Sequence, residues 1–182
     1  MSDTQYLSCA ETAKLIRAAL KESFPGIKFS VTSSVYSMGA SINVKYVDGP
    51  TVDQVKAVVS NFEGSYFDGM TDYKGSNYSS MNGVNVRFGS DYVFVNRKYS
   101  MAFFAGAVQA ACEYYGYAMP ELCESSFGAY IARGLDYETE RRIQQKVQEI
   151  SLCDTQTSPT ADSVCFLGDD GYGWNAVGKL AA

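Results

Sequence analysis

Apolar positions along the chain change their period several times, and each change marks an expected element. Ala13, Ile16 and Leu20 recur at helical spacing behind Ser8-Cys9-Ala10-Glu11, where a serine followed three residues later by a glutamate makes a reciprocal helix cap. The spacing predicts a helix over about 9–23, ended by Phe24-Pro25-Gly26, with Lys14, Arg17 and Lys21 as its solvated stripe. Next the period falls to two. Residues 28–32 and 41–46 put Phe29, Val31, Ile42, Val44 and Tyr46 on one face and polar groups on the other, an antiparallel hairpin with one wet side. Asp48-Gly49-Pro50 closes the hairpin, and Thr51-Val52-Asp53-Gln54 opens a second capped helix with Val52, Val55, Val59 and Phe62 inward. Both helices should cover the apolar side of the sheet, because neither element buries its own face alone.

Between 64 and 82 no period emerges. This stretch of Gly, Ser, Tyr and Asp reads as a long loop, functional or mobile, whose tyrosines suit a contact surface. Val84, Val86 and Phe88 alternate again and residues 92–95 are rich in strand formers, so a third and a fourth strand are expected to complete the sheet. Beyond them helical spacing returns. Met101, Phe104, Val108 and Tyr115 share a face of a helix over about 100–116. Pro120 with Leu122, Phe127, Tyr130 and Ile131 predicts a short helix up to Gly134, and Asp136 caps a third with Ile143, Val147 and Ile150 inward. The tail from 153 is given no regular structure, although Val164, Phe166 and Trp174 should dock part of it. The expected fold class is therefore α+β: a helix-hairpin-helix start on a small antiparallel sheet, followed by a helical C-terminal half. Residues 1–99 form the α+β part and 100–182 a helical extension packed on it as one compact unit, since no linker separates them near 98–101.

Composition narrows the chemistry more than the fold. The 182 residues include no histidine, which removes serine and cysteine nucleophiles activated by imidazole and histidine-ligated zinc. Five cysteines stand at 9, 112, 123, 153 and 165, an odd number without metal-ligand spacing, and read as buried thiols in a reducing, cytoplasmic setting. Neither a signal peptide nor a membrane span is expected. The net charge of -5 is unevenly spread: residues 1–98 carry 10 basic and 9 acidic side chains, whereas residues 99–182 carry 5 and 11. That acidity disfavours nonspecific nucleic-acid binding by the second half.

One family resemblance rests on residues 8–17, Phe24-Pro25-Gly26-Ile27-Lys28-Phe29-Ser30-Val31, Gly39-Ala40-Ser41-Ile42 and Asp48-Gly49-Pro50-Thr51, continued by Phe67-Asp68-Gly69-Met70 with Asp72. Over about 8–99 the chain resembles the twenty-ninth family of large polyvalent protein-associated domains, found in proteins carried by phages and conjugative elements. The resemblance implies an accessory role during invasion of a bacterial host, with protection against host defences, and brings no catalytic residues with it.

Three classes of function follow as expectations. The first is a non-enzymatic, cytoplasmic accessory protein that binds and inhibits a host defence protein or complex, an anti-CRISPR for instance. Tyr66, Asp68, Asp72, Tyr73 and Tyr78 are its expected contacts, because tyrosine offers apolar area and a hydroxyl in one side chain. The alternative is a nucleic-acid-binding module using Lys14, Arg17, Lys21, Arg87 and Arg97, with Lys98 and the aromatics Phe88, Tyr92, Phe94 and Tyr99 nearby on the sheet. The third sets Asp68 and Asp72 on a divalent metal or as an acid and base pair, although no further ligand or nucleophile completes such a site; neither cofactor nor metal is expected. Gly168-Asp169-Asp170-Gly171-Tyr172-Gly173 lacks the Lys-Ser/Thr of a phosphate loop and the ligand spacing of a calcium loop, and reads as a turn.

Overall fold

The computed structural model describes residues 4–125 and 128–174. A strand, β1 (Gln5–Leu7), precedes the first helix, α1 (Cys9–Ser23), and is followed by the hairpin β2 (Ser30–Tyr36) and β3 (Gly39–Val47). After α2 (Val52–Val59) and a 3-10 turn at Ser60–Phe62 come four strands in a row: β4 (Ser65–Asp68), β5 (Tyr73–Met81), β6 (Val84–Phe88) and β7 (Tyr92–Lys98). The second half alternates as well. It runs α3 (Met101–Tyr115), β8 (Glu121–Glu124), β9 (Tyr130–Arg133), α4 (Tyr137–Glu149), α5 (Pro159–Asp162) and β10 (Val164–Asp169).

The described chain is thus sheet-rich, with ten strands in three sheets interleaved with five helices, and the expected helix-first start and helical C-terminal half are both corrected. β2, β3 and β7 form one sheet, in which β7 lies parallel to β3 rather than antiparallel. A second sheet has the order β1-β6-β5-β10, with β4 paired to the first half of β5. The third and fourth expected strands therefore part company. β6 joins the second sheet and β7 the first, because pairing partners come from distant segments that the local pattern of either strand does not specify.

Locally encoded features come out as the pattern predicts. Glu11 N–H donates to Ser8 Oγ at 3.3 Å while Ser8 N–H donates to the Glu11 carboxylate at 2.8 Å, and Thr51 and Gln54 repeat the reciprocal cap at 3.1 and 2.8 Å. Such caps stabilise a helix start by about 1 kcal/mol. α1 and α2 bury Ile16, Leu20, Val55 and Val59 against Val31, Ile42, Val44 and Tyr46, so both helices cover the inner face of the three-stranded sheet. α3 and α4 start at Ser100 and Asp136 as expected and share a second core built on Phe104, Val108, Ile143 and Val147.

Three segments differ from expectation for one reason: their partners are remote. Residues 64–82 form β4 and β5 instead of a loop. Residues 120–134 form the β8–β9 hairpin instead of a short helix, with Leu122 and Tyr130 turned onto the second core; Phe127 lies outside the described residues. The tail carries α5 and then β10, which pairs antiparallel with β5 and buries Val164 in the first core. Phe166 is half-buried, whereas Trp174 is exposed rather than docked. Cys9 and Cys112 are buried and Cys165 is exposed, and all five cysteines are free thiols. Burial pushes the Cys9 thiol up, opposing any activation by the helix start.

Candidate functional site

The tyrosine-rich segment and the glycine-rich turn, a hundred residues apart in sequence, meet at the far end of the β4–β5 hairpin. Antiparallel pairing sets Tyr66 opposite Gly75 and Asp68 opposite Tyr73, so these four positions share one face. β10 stops pairing at Asp169 beside Asn77, and the chain then turns back over that face. Asp170 N–H donates to the Ser76 carbonyl at 3.1 Å, and Ser76 N–H returns a bond to Asp170 Oδ2 at 2.8 Å. The same carboxylate accepts the Tyr66 hydroxyl on Oδ1 at 2.7 Å and the Tyr73 hydroxyl on Oδ2 at 3.0 Å. Tyr66 Oη in turn accepts from Gly173 N–H at 3.0 Å. One carboxylate therefore pins two tyrosines and the edge of a strand.

Electrostatics follow from that geometry. Partial desolvation pushes the Asp170 carboxyl up, but the bonds from Ser76 N–H, Tyr66 and Tyr73 outweigh it and hold it below its ordinary value. Desolvation and the bond to Asp170 raise both phenols, so they remain donors. Two glycines make the approach possible. A Cβ on Gly75 would run into the ring of Tyr66, and one on Gly173 would lie 2.7 Å from Tyr66 Cε2 and 3.1 Å from Asp68 Oδ2.

Around this pinned centre the surface is aromatic and apolar. Tyr73 packs edge-on against both Tyr66 and Tyr172, with centroids 6.3 and 6.2 Å apart. Tyr172 is 78% exposed, Trp174 79% and Met70 79%, while Phe67 (57%) sits on the opposite face of the same hairpin end. Of the expected contacts, Tyr66, Asp68 and Tyr73 are thus brought together. Asp68 is buried and accepts Met70 N–H at 2.9 Å, shaping the turn, while Asp72 is exposed in that turn with a positive φ of 50°. Tyr78 falls by strand alternation on the face opposite Tyr73. The pair Asp68 and Asp72 is not joined by further ligands: no group of three or more Cys, Asp or Glu among the described residues is placed to hold a metal ion.

The five basic residues do not converge. Lys14, Arg17 and Lys21 lie along the exposed side of α1, where Arg17 donates to the Val31 carbonyl at 2.7 Å. Arg87 is in the second sheet and bonds Ser76 Oγ. Arg97 is a structural clamp: it donates to the carbonyls of Asp48, Gly49 and Ile150 at 3.1, 3.0 and 3.0 Å and lies against the rings of Tyr99 and Phe103. A guanidinium spent on three carbonyls has little left for a phosphate.

A family model described as large polyvalent protein associated domain 29 matches residues 7–100, just over half of the chain. The chain belongs to this family. The match covers the first sheet, β4 to β6 and the two reciprocally capped helices, and it stops at the last residue before α3. The large polyvalent protein associated domain is associated with phages and mobile elements. No curated protein and no solved structure matches the chain. Among the described residues no helix is long and apolar enough to cross a membrane.

Asp170, Tyr172 and Gly173 are the members of the cluster that the sequence reading missed. Their signal was present as a tyrosine between two glycines beside paired aspartates, which is turn chemistry with an aromatic at its tip. What it lacked was any hint of its partner a hundred residues upstream.

Proposed function

We propose that this protein is a mobile-element accessory protein that inhibits a bacterial defence protein by binding it, without catalysing a reaction. The contact surface in this reading is the Tyr66, Tyr73, Tyr172 and Trp174 end of the β4–β5 hairpin. The observation that carries it is that Asp170 fixes the half-buried rings of Tyr66 and Tyr73, against which the exposed ring of Tyr172 packs: a ring on a fixed support loses little side-chain entropy on association, and Tyr, Trp, Phe and Met are enriched at the centres of interfaces. Family membership supports the setting, and the lack of histidine in the sequence limits acid-base chemistry near neutral pH.

The experiment is a phage challenge of bacteria that carry an active defence system, with and without the protein expressed. Wild-type protein should raise plaque counts, and a Tyr172→Ala/Trp174→Ala variant expressed at equal level should not. Both side chains are exposed, so the variant keeps its fold. Equal protection by the variant, or none by the wild type across defence systems, would contradict the reading.

A further inference from the structure

The outer face of the three-stranded sheet is a second surface, independent of the tyrosine cluster. Register and alternation put Ser30, Thr32, Ser34 and Tyr36 of β2, Asn43, Lys45 and Val47 of β3, and Tyr92, Phe94, Asn96 and Lys98 of β7 on the side away from α1 and α2. Parallel pairing sets Asn43 beside Phe94, Lys45 beside Asn96 and Val47 beside Lys98. An open sheet that nothing covers usually shows short polar side chains. This one shows Phe94 at 51% exposure, with the ring of Tyr92 tilted against it at 6.3 Å and Tyr36 in the neighbourhood of Tyr92.

Charge on this face is one-sided. Lys45 and Lys98 point out of it and, together with Lys28, line a groove of about 620 Å³ whose lining also includes Ser30 and Val47. Among the described residues none of these three lysines makes a side-chain hydrogen bond or an ion pair. No Asp or Glu occurs at an outward position of the three strands. Three carboxylates border the face and each is engaged: Asp91 holds Lys74 at 2.8 Å, Ser65 and the Ala40 N–H; Glu63 accepts the Val93 N–H at 2.7 Å; and Asp48, beside Lys98, accepts the Ser100 N–H at 2.7 Å. Lys98 and Phe94 are four residues apart on one strand, about 13 Å, so cations and rings sit side by side along the same track.

We propose that this face binds single-stranded DNA, with Lys28, Lys45 and Lys98 against phosphates and Phe94 and Tyr92 stacking on bases. Three uncompensated cations call for a polyanion, and exposed rings on a flat sheet call for flat apolar partners; a single strand supplies both at one spacing. A duplex offers no free base faces to the rings. Neither contact uses a 2′-hydroxyl, so a deoxy strand suffices. Arg97 takes no part, and Lys98 stands where the face meets β9 and α4, beside Tyr130, Gln144 and Gln148, none of which is acidic.

Fluorescence anisotropy with a labelled mixed-sequence deoxy-dodecamer tests the proposal on the full chain. With three phosphate contacts on a single strand, the logarithm of affinity should fall against the logarithm of salt with a slope of about -2, and Lys45→Gln/Lys98→Gln should reduce it to about -0.7. Phe94→Ala should weaken binding at least fivefold at about 50 mM salt, whereas Tyr172→Ala should leave it unchanged. Circular dichroism confirms that each variant is folded. No binding at low salt, equal affinity for a duplex of the same sequence, or indifference to both the lysine and Phe94 changes would overturn the proposal; tenfold tighter binding of the ribo-dodecamer would overturn the assignment to DNA. Loss of phage protection with DNA binding intact would bear on the tyrosine surface alone.

Discussion

Asp170 is the residue on which the aromatic surface depends, and its protonation gives a handle on it. Its folded pKa lies below the ordinary 3.8, so its bonds stabilise the fold fully above that value and the contribution is lost as pH falls through the lower, folded one. Asp170→Asn should therefore lower Tm at pH 7, and the gap from wild type should narrow as pH falls below 3.8, as read by thermal melts at pH 7 and at a descending series of acid pH values. Tyr46 presents the opposite case. Its hydroxyl is buried with no hydrogen-bond partner and burial pushes its pKa up, so Tyr46→Phe should cost nothing or add up to about 1 kcal/mol in a urea titration. Neither residue announced itself. Tyr46 read correctly as an inward strand position, but the missing partner for its hydroxyl is a fact about neighbours, and Asp170 read as a turn because its three donors lie near residues 66 to 76.

Elements divide by the range of the information that makes them. The starts of α1 and α2 were legible because a reciprocal cap is complete within four residues, and α3 and α4 because their apolar stripes at helical spacing needed only a surface to meet. β5 was not legible: Gly75, Ser76, Ser79 and Ser80 give it no strand-like pattern, and it persists because β4, β6 and β10 satisfy its backbone from both sides. β10 is the removable partner. Ending the chain before Val164 would strip that edge and take Val164 from the core, where its burial is worth about 1.5–3 kcal/mol. Tm should drop by at least about 3 °C, given about 2–4 °C per kcal/mol at this size. An unchanged melt would mean that β10 is not holding the second sheet.

Across the whole molecule, Arg97 bridges from the first core to Ile150, which packs on the second, and further directional bonds fasten the chain that follows back onto the first. Arg97 reaches the Ile150 carbonyl, Leu152 N–H donates to Gly49 at 3.0 Å, Gln54 donates to Cys153 at 3.1 Å, and Glu22 accepts Ser158 and Thr160 at 2.6 to 3.0 Å. Arg97→Lys cannot span three carbonyls. It should destabilise the fold by about 1.5–3 kcal/mol and raise hydrogen exchange first in the segment around 150–153. On this frame the aromatic end and the lysine-bearing sheet face are separate surfaces, which allows each to be altered without the other.

The most direct measurement is quantitative capture from the lysate of a defence-competent bacterium on immobilised protein, comparing wild type, Tyr172→Ala/Trp174→Ala and Lys45→Gln/Lys98→Gln after nuclease treatment. Binding through the tyrosine end predicts one defence component retained in near-stoichiometric amount by wild type and by the lysine variant, and lost from the tyrosine-tryptophan variant. Equal retention by all three, or retention that disappears with nuclease, would contradict it.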